Sequence, residues 1–118
     1  MLPNRMQLSK NTEEQLKKLK TQTGVTPNIS ARIAFFSSIE SGDRFDQMSD
    51  YKTDGSLTLD KITWLGKTQA VTELFLKKMY ATLDERQLQA AWAYHVERGI
   101  SSTRVAKNLT KLIDKVID

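Results

Sequence analysis

The 118-residue chain contains no cysteine and a single histidine, His95. The lack of cysteine excludes disulfides, thiolate metal ligands and cysteine nucleophiles, and one histidine cannot build a histidine-rich metal site. The polar start of the chain is unlike the apolar core of a signal peptide, and no apolar run approaches the roughly 20 residues of a membrane span. We therefore expect a cytoplasmic protein with no metal, no cofactor and no membrane contact.

Catalytic motifs are also missing. Gly66-Lys67-Thr68 is similar to the end of a phosphate-binding loop, but that motif requires glycine where this chain has Lys61. The carboxylate pairs Glu13-Glu14 and Asp84-Glu85 lie at predicted helix starts, where the helix dipole favours negative charge. His95 falls on the apolar face of its predicted helix, which favours a core histidine. We therefore expect that the protein is not an enzyme.

Apolar residues make up 39% of the chain and charged residues 27%, which is enough apolar surface for a folded domain. The length fits one domain, residues 1–118. Most apolar residues recur at helical spacing, so the sequence predicts an all-α, mainly helical, compact single domain of about five helices.

The first predicted elements are a short strand and two helices. Met6 and Leu8 of the strand point inward. The first helix begins after Ser9 or Asn11 and ends at Gly24, and the second begins at Pro27 after Thr26 and ends at Gly42. The second helix is expected to bury an apolar stripe made of Ile29, Ile33, Phe36 and Ile39.

A long polar loop follows at residues 43–56. Its aspartates and Gly55 are typical of irregular structure, and its length exceeds that of most connections. Three states are compatible with such a loop, since it can pack on the surface, become ordered on binding, or be mobile.

Three more helices are predicted after this loop. After an apolar stretch that Gly66 interrupts, the third buries a stripe of Ala70, Val71, Leu74, Phe75 and Met79. The fourth begins at Asp84, ends at Gly99 and forms an antiparallel hairpin with the third. The last begins near Ser101 or Ser102 and carries an apolar stripe from Val105 to Ile117.

The net charge of +4 is unevenly distributed. Residues 1–32 contain six basic and two acidic side chains, residues 33–103 eight and ten, and residues 104–118 four and two. Such asymmetry indicates an anionic partner near the termini, although a charge of this size is also ordinary for solubility.

The candidate DNA-binding residues are cations at the start of the chain, where they can neutralise phosphates. They are Arg5, Lys10, Lys17, Lys18 and Lys20. Part of this set has a structural explanation. Two pairs have the spacing of intrahelical ion pairs, Glu13 with Lys17 and Glu14 with Lys18.

The order strand, helix, turn, helix is similar to that of ribbon-helix-helix and helix-turn-helix proteins. In a ribbon-helix-helix protein the outward side chains of Arg5, Gln7 and Ser9 would contact bases. That arrangement requires a dimer, because a second chain supplies the other strand of the ribbon.

Five segments carry a resemblance to the DndE family. They are Leu8–Lys10, Gln15–Ile29, Ala31–Phe35, Leu65-Gly66 and His95–Ile100. The resemblance implies an accessory protein of the bacterial DNA phosphorothioation system, which replaces a non-bridging phosphate oxygen with sulfur. A desulfurase, a sulfurtransferase-like protein and an ATPase do the chemistry. It also implies a ribbon-helix-helix-like core, a homotetramer, and binding of nicked duplex DNA through surface lysines, here Lys10, Lys17, Lys18 and Lys20.

The leading hypothesis is therefore a non-catalytic, homo-oligomeric protein that binds the phosphates of intact or nicked duplex DNA. A second hypothesis is an adaptor for the other modification proteins, based on the 43–56 loop and the last helix. A third is a sequence-specific regulator of the ribbon-helix-helix type.

Overall fold

Five α-helices and a two-stranded sheet make up residues 1–101, the part of the chain that the computed structural model describes. The strands are β1 (Arg5–Met6) and β2 (Leu59–Asp60). The helices are α1 (Lys10–Thr23), α2 (Pro27–Ser41), α3 (Lys61–Leu65), α4 (Gln69–Met79) and α5 (Glu85–Ile100), with a 3-10 turn at Gly66–Thr68. The mainly helical fold class is confirmed. The predicted last helix lies outside the described residues.

Local sequence signals place the helix ends. The Ser9 side chain accepts a hydrogen bond from the Thr12 amide and caps α1, whereas Gly24 ends that helix with a φ of 76° that disfavours other residues. Asp84 and Gln87 form a reciprocal capping box at the start of α5. These predicted ends are confirmed. They could be predicted because each depends on contacts between residues close in sequence.

The small sheet is completed within one chain. β1 and β2 are antiparallel, with Arg5 opposite Asp60 and Met6 opposite Leu59. The indole N–H of Trp64 donates to the Met6 carbonyl at 2.9 Å and fixes the strand to α3. The predicted strand-helix-helix order is present, but the second strand comes from residues 59–60 rather than from another subunit.

The core lies mainly between α2 and α5, not between α4 and α5 as the predicted hairpin would require. Gly99 is part of this contact. It does not end α5 as predicted, but lies inside the helix against the Ala34 backbone, where a Cβ atom would overlap the Ala34 carbonyl. Glycine is therefore used here for close helix packing.

Two helices bury a different face from the one predicted. α2 buries Ala31, Ala34, Phe35 and Ser38, and its Ile29 is exposed. α4 buries Thr72, Glu73 and Leu76, so its apolar stripe is directed to solvent. In both helices small or polar side chains are buried beside one large apolar residue, Phe35 or Leu76, which an apolar pattern does not reveal.

Residues 43–56 pack on the helices, which selects the first of the three predicted states. Phe45 is buried with its ring edge-on to the rings of Tyr51, Tyr80 and Tyr94. The Gly55 amide donates to the Leu8 carbonyl at 2.9 Å, so the segment also closes over the start of α1.

Candidate nucleic-acid interface

The four lysines of α1 lie on its solvent side. An α-helix turns by about 100° per residue, so Lys10 and Lys17 are nearly in line, with Lys18 and Lys20 on either side. All four are exposed, whereas Leu16, nearly opposite Lys18, is buried. The four cations therefore spread over almost half of the circumference of the helix, with Lys10 and Lys17 at the centre.

Lys17 is partly neutralised. Its ammonium lies 3.2 Å from Glu13 Oε1, which confirms the predicted pair. Glu13 is buried and also accepts hydrogen bonds from the Ser56 hydroxyl at 2.9 Å and the Leu57 amide at 3.1 Å. Burial raises the pKa of Glu13, but these donors and Lys17 outweigh it and lower the pKa below its ordinary value. Glu13 therefore stays ionised.

Lys18 and Lys20 are the least compensated cations of α1. The predicted pair between Glu14 and Lys18 does not form, and within residues 1–101 no carboxylate lies at ion-pair distance from Lys18 or Lys20. The carboxyl-terminal half of α1 is therefore the part of the candidate site where an anion meets the least local competition.

Lys10 lies in a more acidic environment. Its backbone amide donates to Asp54 Oδ1 at 2.9 Å, and this bond lowers the pKa of Asp54. An open groove beside it is lined by Lys52 and by more numerous carboxylates from α1, α5 and the 43–56 segment. They are Glu14, Asp50, Asp54 and Glu97. A phosphate near Lys10 would be repelled by these groups, so Lys10 is a weaker candidate than Lys18 or Lys20.

Arg5 is separated from the lysines by its contacts. Its guanidinium lies 3.0 Å from Asp60 Oδ1 and donates to the Thr58 carbonyl at 3.0 Å. The side-chain amide of Gln7 donates to the Gly55 carbonyl at 2.8 Å, and the Ser9 side chain caps α1. All three side chains proposed for base contacts in a ribbon are thus engaged inside the chain.

His95 has structural partners and is fully buried, as predicted for a core histidine. Nδ1 lies 2.8 Å from Ser38 Oγ and Nε2 lies 2.7 Å from the Tyr80 hydroxyl. Burial lowers the pKa of His95 to about 4. Among the residues that the structure describes, no three His, Asp or Glu side chains are grouped to hold a metal ion, and no helix is long and apolar enough to span a membrane.

Comparisons with known proteins give both a family match and structural matches for this chain. A family model described as "DNA sulphur modification protein DndE" matches residues 5–111. The solved structure of DndE from Escherichia coli B7A, involved in DNA phosphorothioation modification, is similar at 60% identity with a TM-score of 0.82, over 86% of this chain and 96% of that chain.

A DndE mutant with two glycines replaced by lysine, also described as involved in DNA phosphorothioation, is similar at 58% identity with a TM-score of 0.81. That match covers 86% of this chain and 97% of the other. The comparison with curated proteins gives no match. The family match covers most of the chain, and a solved relative at 60% identity has the same fold over most of both chains. The chain therefore belongs to the DndE family of DNA sulphur modification proteins.

Proposed function

We propose that this protein is a non-catalytic, cytoplasmic DNA-binding accessory of the phosphorothioation system, and that α1 contacts the DNA backbone. The observation that carries the proposal is the exposure of Lys18 and Lys20 on one helix without a nearby carboxylate among residues 1–101. Membership of the DndE family makes DNA, or a protein bound to it, the natural anionic partner. The sulfur chemistry is assigned to the other proteins of the system.

Phosphate contacts of this kind hold the duplex without reading its sequence. Lysine is a compact point charge on a flexible stem, and it binds a nicked and an intact backbone through the same phosphate oxygens. A preference for nicked DNA would therefore come from the way several subunits fit a bent duplex rather than from any one lysine.

A homo-oligomer, which we propose to be a tetramer, would make this weak site effective. Each chain offers two or three uncompensated lysines, and repeated sites on one particle convert modest local affinities into a strong combined one. Ile29 and Ile62 are large exposed apolar side chains that a subunit contact could cover.

The test is a salt series of binding measurements on intact, nicked and single-stranded DNA by fluorescence anisotropy. We expect Lys18→Ala with Lys20→Ala to lower duplex affinity roughly tenfold or more at low salt and to flatten the salt dependence. The matched control is Lys77→Ala with Arg86→Ala, which removes the same charge from exposed cations outside α1 and outside the groove beside Lys10. Equal losses in the two double variants would show a general charge effect and reject α1 as the site.

The adaptor hypothesis is kept as a second candidate because α4 exposes an apolar stripe, a feature common at protein interfaces. Co-purification with the other modification proteins, combined with no DNA affinity in the salt series, would select it. The sequence-specific regulator loses its support, because the side chains of Arg5, Gln7 and Ser9 are bonded within the chain.

A further inference from the structure

The solvent side of α4 carries three adjacent apolar side chains. Val71, Leu74 and Phe75 are exposed by 39%, 53% and 38%, and their spacing of three and four residues places them on one stripe. The ring of Phe75 lies edge-on to that of Phe36 with centroids 6.2 Å apart. The stripe is therefore held in place by the core of the same chain before any partner binds.

Three lysines lie next to this stripe, and Glu40 of α2 lines the adjoining pocket together with Phe36. Lys67, in the 3-10 turn, lies four residues before Val71, and Lys78 lies about one helical turn after Leu74, so the two bracket the stripe along the chain. Lys77 lies along one side. Within residues 1–101 none of the three has an ion-pair partner.

The carboxylate of α4 lies beside these lysines but has partners inside the chain. Glu73 faces the interior, where its Oε2 accepts from the Leu2 amide at 3.1 Å and lies 3.8 Å from the Lys61 ammonium. The exposed surface of α4 is thus apolar at its centre, with lysines at both ends.

An apolar centre with lysines at both ends favours some classes of binding partner for this surface over others. Two copies packed stripe to stripe about a twofold axis would bring equivalent cationic side chains toward one another, which disfavours a second copy. Nucleic acid would leave the apolar centre without a matching surface. Three half-exposed side chains also insert too little apolar area for stable attachment to a lipid surface.

We propose that the α4 stripe binds an amphipathic helix of a partner protein, with apolar residues facing Val71, Leu74 and Phe75 and carboxylates facing Lys67 and Lys78. Helix-in-groove and helix-on-helix recognition uses this layout, in which apolar anchors supply affinity and flanking charges set orientation. The inference is independent of DNA binding by α1 and would hold if the α1 experiment failed.

The experiment uses two synthetic helical peptides that share one apolar stripe and differ only in flanking residues, glutamate in one and lysine in the other. Fluorescence anisotropy with the full chain should give at least about tenfold tighter binding of the glutamate peptide. Leu74→Asp should abolish this binding, and Lys67→Glu with Lys78→Glu should reverse the preference. All these positions are exposed, so the variants should fold as the wild type does, which circular dichroism checks.

Lys18→Ala with Lys20→Ala is the matched control and should leave peptide binding unchanged. Equal binding of the two peptides, or none, overturns the proposal. A lower particle mass of Leu74→Asp in sedimentation would assign the stripe to a second copy. Loss of DNA or anionic-vesicle binding in the Lys67 and Lys78 variant, without a peptide effect, would assign it to nucleic acid or lipid.

Discussion

At the scale of single residues, Glu13 connects the candidate site to the fold. Its carboxylate holds Lys17 on one side, and on the other it accepts from Ser56 and Leu57, which lead into β2. Gly55 lies so close that a Cβ atom there would overlap Glu13 Oε2. The carboxylate thus fixes the position of a polar segment and one cation together.

We expect Glu13→Ala to destabilise the protein by about 1 kcal/mol, because it leaves a half-buried amide and a hydroxyl without their acceptor. Urea denaturation measures the change. Glu14→Ala, the exposed neighbour, is the control and should change stability by less than about 0.5 kcal/mol. Similar losses in the two variants would show that the Glu13 contacts contribute little.

His95 forms part of a hydrogen-bond chain whose directions are all determined. Asp43 accepts from the Ser38 hydroxyl, so Ser38 Oγ must accept from His95 Nδ1–H. Nε2 then accepts from the Tyr80 hydroxyl, whose oxygen accepts from the Phe45 amide. The chain fits only a neutral imidazole, because a second ring proton would face the Tyr80 hydroxyl proton.

This chain predicts a loss of stability in mild acid. Burial lowers the pKa of His95 from 6.5 to about 4, with Asp43 opposing the shift. As the pH falls below 6.5 the unfolded chain takes up the proton before the folded one, so stability falls between these two values. The unfolding free energy should drop by about 2 kcal/mol between about pH 7 and pH 5.

Urea denaturation at several pH values tests this expectation. His95→Gln is less stable at neutral pH but should show a much smaller decrease over the same interval, because the titrating group is gone. If the variant keeps the full wild-type decrease, another group is responsible.

At the scale of elements, the contact of α2 with α5 organises the molecule. Gly99 allows the two backbones to approach at Ala34. Trp92 of α5 also packs edge-on against Trp64 of α3, with ring centroids 5.4 Å apart. We expect Gly99→Ala to cost at least about 2 kcal/mol of unfolding free energy, because the added methyl group forces the helices apart.

Gly24→Ala provides the comparison for this prediction. A Cβ atom at Gly24 meets nothing, so the cost there comes from the positive φ alone and should be about 1 kcal/mol. Thermal denaturation of both variants separates packing from backbone strain. A smaller loss for Gly99→Ala than for Gly24→Ala would mean that the helices adjust easily.

At the scale of the whole molecule, three surfaces differ in character. α1 presents lysines, the groove beside its start is acidic, and α4 presents an apolar stripe between lysines. Because these surfaces are separate, the two proposed interactions would not compete for the same part of the chain.

The salt dependence of DNA binding should report how many chains touch the duplex. One chain using Lys10, Lys18 and Lys20 gives a slope of affinity against salt near −3 on logarithmic axes, and several chains give a proportionally steeper slope. We expect a slope steeper than about −5, together with a particle mass of more than one chain. A slope near −3 from an oligomer would mean that a single subunit binds.

The sequence by itself determined the local features of this protein. Helix ends at Ser9, Gly24 and Asp84, the inward Met6, the pair of Glu13 with Lys17 and the family resemblance depend on neighbours along the chain or on residue identity, so they can be read without coordinates. The exposure of the α1 lysines follows from the same helical spacing.

Only the tertiary structure decided which faces are buried and which charges are compensated. α4 is turned so that Thr72 and Leu76 meet the core, the partner strand of β1 comes from residue 59 onward, and Asp60 pairs with Arg5. These outcomes depend on contacts between residues far apart in sequence. Close packing of small side chains, as at Gly99 and Ala34, decided the arrangement more than apolar periodicity did.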